Sequence, residues 1–307
     1  MDAVAELEER VRRYGAERYP VQRATALFHL GTALAESNPA RARGLLAESA
    51  SLFAAAGLAV EEAKARNALG AALRALGAQD SAADAFRAAA AAFEPGSRER
   101  GAALFNLGLV TRDPEPLEAA RELFPPGSRE HAAARRELGI LRLERGDVDA
   151  AAAELAAATE TGDGAAANAL GLARLAQGRV DDAIDAFRSA GGPTADANLS
   201  LAYERADDLP RARDAAVRAI TAREAAPAVR AQAAQVLGRS GGELASDDDA
   251  EEVLRSLLEL PPSEFEHLLA TLLPVRAQLE RVAPRFHAPQ ELRVRETIAR
   301  LWSARTI

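Results

Sequence analysis

Apolar and small residues recur with helical period from residue 24 to residue 222, in blocks separated by short polar turns, and the blocks repeat. A Leu–Gly step marks each block: Leu30–Gly31, Leu69–Gly70, Leu107–Gly108, Leu138–Gly139 and Leu170–Gly171, with Leu199–Ser200 as a sixth. From Gly108 onward these positions follow one another at 31, 32 and 29 residues. A second marker gives the same register: Pro95–Gly96–Ser97–Arg98–Glu99 returns as Pro126–Gly127–Ser128–Arg129–Glu130, also 31 residues later. Twelve residues after the glycine stands a small residue, Ala82, Ala120, Ala151, Ala183 or Ala212. Four further on is a bulky one in most copies, Phe86, Phe124, Leu155 or Phe187, and three beyond that another small one, as at Ala89, Gly127, Ala158, Ala190 and Ala219. The small residues let two antiparallel helices approach closely. The bulky residue is expected to fill the space between neighbouring pairs.

Turn chemistry agrees with this division. Gly77, Gly146 and Gly178 each stand seven residues after a Leu–Gly glycine, where a helix needs a left-handed residue to stop. Asp80, Asp147 and Asp181 follow and are expected to cap the next helix, a structural job that leaves no need for a catalytic one.

The pattern of Leu–Gly, then Ala, Phe and Ala at fixed offsets, resembles the tetratricopeptide repeat family, here in about six copies and a degenerate seventh. Some departures are evident. The first copy has Arg43 and Ala47 at the small and bulky positions, which predicts a second helix slipped by one residue. The third copy replaces the turn by Asp113–Pro114–Glu115–Pro116, and the sixth lacks both glycine and Phe. The resemblance implies a bacterial repeat protein of the all-α class, an α-α superhelix: a right-handed solenoid of antiparallel helix pairs with a non-repeat helical C-terminal region. Three segments are expected: a capping helix in residues 1–20, the repeat array in residues 21–242, and a C-terminal helical segment in residues 243–307.

Near the start, Val4, Leu7 and Val11 form one helical stripe. Residues 226–237 read as a seventh first helix, ended by Gly238 and Gly241–Gly242. Ser246–Asp247–Asp248–Asp249 reads as a capping box, and Pro274 as a kink in the helix that Ser263 opens. Residues 243–266 are strongly acidic and residues 274–307 mostly basic, so the two stretches are expected to pack on each other.

Composition narrows the function more than it names it. Hydrophobic residues make up 48% of the chain and charged ones 27%, enough for a substantial core. The chain has no cysteine, which removes disulfides, thiolate metal sites and cysteine nucleophiles. The net charge of −8 argues against nucleic acid as a partner, and no apolar run is long enough for a membrane helix. A cytoplasmic protein is expected. The four histidines, His29, His131, His267 and His287, are scattered, no phosphate loop or nucleophile elbow is present, and neither an enzyme nor a cofactor or metal is expected.

In the tetratricopeptide family the first helices line a concave binding face. The resemblance therefore points to a partner groove at Asn106, Leu109, Arg112, Glu137, Ile140, Leu143, Leu172, Leu175, Asn198, Leu201 and Arg205. Its leucines either pack between adjacent first helices or form an apolar groove for a partner segment. Glu137, Ala68 and Ala169 spoil the paired basic and amide positions of a carboxylate clamp. A second surface, for an oligomer or partner, is expected at Arg293, Ile298, Leu301 and Trp302. The primary expectation is a non-catalytic scaffold or adaptor that binds a protein or peptide. The alternatives are a receptor or carrier for a small apolar ligand or peptide, and a self-assembling subunit, a homodimer for example, built through the C-terminal helices.

Overall fold

The computed structural model describes residues 3–303, apart from the side chains of residues 273, 302 and 303. The described residues form α-helices and two 3-10 turns, with no strand. They fall into two compact units, Met1–Gly146 and Asp147–Ile307.

The first unit comprises α1 (Ala3–Arg13), α2 (Pro20–Leu34), α3 (Pro39–Ala55), α4 (Ala59–Ala75), α5 (Gln79–Ala92), α6 (Arg98–Thr111), α7 (Pro114–Leu123) and α8 (Arg129–Glu144). Consecutive helices pack antiparallel, and alternate ones touch as well, α2 on α4 and α4 on α6. Val4, Leu7 and Val11 of α1 lie on the core around Leu30 and Leu46. The second unit continues with α9 (Val148–Thr159), α10 (Gly164–Ala176), α11 (Val180–Ala190), α12 (Gly192–Arg205), α13 (Leu209–Thr221), α14 (Pro227–Ser240), α15 (Asp247–Leu258), α16 (Pro262–Thr271), α17 (Arg276–Val282) and α18 (Ala288–Ser303). Alternate helices again touch, from α10 on α12 through α14 on α16 to α16 on α18. One core runs from Ala197 in α12 to Ile298 in α18.

The glycine of each Leu–Gly step is a contact point. A methyl group at Gly70 would stand 2.6 Å from Cε1 of Phe86, and one at Gly108 2.5 Å from Cγ of Leu117. The Phe187 ring covers Gly171 in the same way, and Leu46 covers Gly31. The bulky residue therefore closes its own helix pair, whereas the sequence pattern suggested that it fills the gap between pairs. Leu46 comes one residue earlier than Phe86 does relative to its glycine, as the slipped first copy requires. In the third copy the short α7 brings up Leu117, and Phe124 moves to Gly101. The small partners Ala82, Ala120, Ala151, Ala183 and Ala212 are all fully buried.

Gly77, Gly146 and Gly178 have φ of 75°, 82° and 75°, the left-handed terminators anticipated. The aspartates act differently from expectation. Asp80 and Asp181 lie inside the first turn of α5 and α11, and Asp147 precedes α9 with no side-chain cap bond. There they favour the helix N-terminus by charge alone. Side-chain caps come instead from Asn38, Ser97, Asp113, Ser128, Asp163, Asp208 and Ser246.

Pro274 ends α16 outright: the chain makes a 3-10 turn over Leu273–Val275 before α17 begins. The acidic and basic stretches do meet. Arg281 pairs with Asp247 at 3.0 Å, and Arg285 with Asp248 at 3.0 Å and Glu251 at 2.9 Å. Gln278, buried in α17, accepts a hydrogen bond from Leu244 N at 2.7 Å and donates to Ser246 O at 2.9 Å. It pins the loop that leads from α14 into α15.

Candidate functional site

By the Leu–Gly and Leu–Ser steps, α2, α4, α6 and α8 of the first unit and α10 and α12 of the second are first helices, and α14, α16 and α18 follow them in the same alternation of contacts. The expected groove residues divide between the two units. In the first, Leu109 of α6 and Arg112 at its C-terminal cap meet Glu137 and Ile140 of α8 around a cavity of about 40 Å3 floored by Leu117 and Leu141. Leu109 and Ile140 are half-buried, and Arg112 pairs with Glu144 across the cavity rim. Asn106 donates to Asn67 Oδ1 of α4 at 3.2 Å. Leu143, on the same helix as Ile140, is half-buried and does not line the cavity.

In the second unit the leucines separate. Leu172 of α10 is 37% exposed, whereas Leu175 is buried beside Phe187 and Tyr203. Leu201 of α12 is half-buried against that same core, and Arg205 is exposed. Asn198 is buried between two amides: its Nδ2 donates to Asn168 Oδ1 at 2.9 Å, and its Oδ1 accepts from Gln232 Nε2 at 2.9 Å. One helical turn separates Asn168 from Leu172, so the amide and the exposed leucine share a face of α10. Glu204 and Arg239 close the far end of α12 and α14 with a two-pronged ion pair at 2.8 Å. The Asn168–Asn198–Gln232 chain was only partly visible in the sequence. Asn168 and Asn198 stand at different offsets from their Leu–Gly or Leu–Ser steps, which hides the periodicity.

The second expected surface is largely internal. Ile298 is 1% exposed, within the core. Arg293 lies with its guanidinium 4.4 Å from the Phe265 ring centroid and donates to Leu258 O and Leu260 O, capping α15. Leu301 is half-buried against the core, and the Trp302 side chain lies outside the described ones. Among the described side chains of α18, the large apolar one that is exposed is Leu292, at 56%.

Among the described residues, no cluster of three or more His, Asp and Glu could hold a metal ion, and no helix is long and apolar enough to cross a membrane.

Antiparallel helix pairs closed by a glycine notch, stacked through alternate-helix contacts, define an all-α solenoid of the tetratricopeptide type. Two solved structures give the same fold. A tetratricopeptide repeat protein from Parabacteroides merdae aligns over 81% of this chain and 98% of its own length, with TM-score 0.53 and 13% identity. The APC/C hetero-tetramer Cut9–Hcn1 aligns over 91% of this chain but 52% of that one, with TM-score 0.51 and 16% identity. YrrB, a tetratricopeptide protein with an unusual peptide-binding site, aligns over 70% of this chain and 97% of its own, with TM-score 0.42 and 20% identity. No family profile and no curated protein matches the sequence.

Proposed function

We propose that the chain is a non-catalytic scaffold that holds a segment of a partner protein against its first helices. The observation that carries this reading is Leu172: a large apolar side chain, 37% exposed within a helix, one turn from the half-buried amide Asn168. Exposed apolar area costs solubility unless something covers it, and neighbouring amides can pair with a partner's main chain. In the first unit Leu109 and Ile140 offer a second apolar contact of the same kind between α6 and α8. The likeness to Cut9–Hcn1, an assembly of different chains, supports a scaffold in general.

The test compares wild type with Leu172→Glu and Ile140→Glu, both of which alter exposed or half-exposed positions and should leave the circular dichroism spectrum unchanged. The reading requires a stoichiometric protein captured from native lysate by wild type and lost with at least one variant. Equal recovery by all three places the interaction elsewhere, and no recovery by any removes the scaffold reading.

A further inference from the structure

The alternate helices α10, α12, α14, α16 and α18 of the second unit are tied together by polar side chains at every interval but one. Asn198 bonds Asn168 between α10 and α12, Gln232 and Arg239 reach Asn198 and Glu204 between α12 and α14, and Arg300 pairs with Glu266 at 2.5 Å between α16 and α18. Between α14 and α16 no side-chain hydrogen bond or ion pair occurs among the described residues. These two helices touch instead near their C-terminal ends, where Gly238 packs directly against the Thr271 carbonyl. Toward their N-terminal ends a cavity of about 380 Å3 opens. Its walls are Pro227, Ala228 and Ala231 on one side and Leu268 on the other, with Ser263, Glu264 and His267 at the rim. Small residues on α14 leave room for an inserted side chain, and the volume lies in the range of ligand-sized clefts. On the other side of α16 a second cavity, about 460 Å3, is bordered by Leu292 and Glu296 of α18.

The charges around these two cavities have one sign wherever they are uncommitted. Arg293 is engaged with Leu258 O, Leu260 O and the Phe265 ring, and Arg300 with Glu266. Among the described residues, the Glu264 and Glu296 side chains make no ion pair or hydrogen bond. Glu264 sits in the first turn of α16, whose terminus offsets about half a charge and leaves a negative surplus at the wedge mouth.

We propose that the α14–α16 wedge receives an apolar side chain of a partner segment whose neighbouring lysine or arginine pairs with Glu264. The proposal rests on the scaffold reading and specifies the chemistry of what is held. The wedge supplies dry contact for the apolar group, and the carboxylate fixes which segments may bring one.

The probe is a short capped fluorescent peptide of alternating leucine and lysine, with leucine–glutamate and serine–lysine counterparts, titrated by anisotropy against the full chain. The leucine–lysine peptide should bind at least about ten-fold more tightly than either counterpart. Ala228→Trp, which fills the exposed wedge mouth, and Glu264→Gln should each weaken it by about ten-fold with an unchanged melting temperature. Equal binding of the leucine–glutamate peptide overturns the proposal, as does binding that ignores both wedge variants or the absence of binding by any peptide. If Leu172→Glu abolishes binding and the wedge variants do not, the scaffold reading stands and the wedge assignment falls. A dimer mass by light scattering that Ala228→Trp returns to monomer makes a second copy the occupant and also overturns it.

Discussion

The ring of Phe187 in α11 lies on the α-carbon of Gly171 in α10, leaving no space for a side chain there. Gly171→Ala should therefore destabilise the second unit. Overpacking costs about 1–3 kcal/mol, against roughly 1 kcal/mol regained from helix propensity, so the net loss should reach up to about 2 kcal/mol in urea unfolding. Adding Phe187→Leu should recover part of it. Gly44, in α3 with open space around it, is the contrast: Gly44→Ala should stabilise by roughly 0.5–1 kcal/mol.

Gln278 gives a second expectation. Its amide satisfies the buried Leu244 N–H and reaches the Leu244 and Ser246 carbonyls. Gln278→Leu preserves volume but strands those groups, so it should cost about 2–3 kcal/mol. Hydrogen exchange at Leu244 should accelerate more than exchange within α10.

The α15–α17 ion pairs predict a pH dependence. Hydrogen bonding to Arg281 holds the Asp247 carboxyl below its ordinary value, and Arg285 does the same for Glu251. Lowered folded-state values mean stabilisation that is present above the ordinary carboxylate range near pH 4 and lost as pH falls through the depressed values. These groups are exposed, so salt should weaken the effect. Arg281→Ala with Arg285→Ala should flatten the acid limb of the melting temperature between about pH 5 and 2. An unchanged limb would remove these pairs as its source.

Asn198→Ala should leave both Asn168 and Gln232 short of a partner. A loss of about 1–2 kcal/mol is expected, and replacing Asn168 in the same background should add little, because the two are coupled.

The repeat was legible because each marker is fixed by a distance. Gly70 must be glycine for Phe86 to reach it, and Ala82 must be small for two helices to meet, so both leave a trace at constant spacing. Substitutes that satisfy the same contact from another offset were not legible: Leu117 takes the place predicted for Phe124 because the prolines shorten the turn. The caps at Asp80 and Asp181 were misplaced because α5 and α11 each begin one residue before the aspartate. Beyond Gly242 the periodic signal fades, yet α15 to α18 keep the same alternation of contacts through ordinary leucines and valines, which carry no positional signature. For the proposed groove, the offset from the Leu–Gly step was enough to place Leu109, Ile140 and Leu172 on first helices. The wedge was not, since Ala228 and Ala231 matter there for the bulk they lack.

The glycine notch also bears on how the chain can be made. Phe86 and Phe187 each close on a glycine only 16 residues upstream, so a helix pair needs little loop entropy and no distant segment to assemble. A pair emerging from the ribosome can shut before the next is synthesised, and each new pair then docks on a finished edge. Folding of this kind proceeds by growth from one end and stays insensitive to how many pairs follow, which makes gain or loss of a pair the cheapest route to a longer or shorter protein.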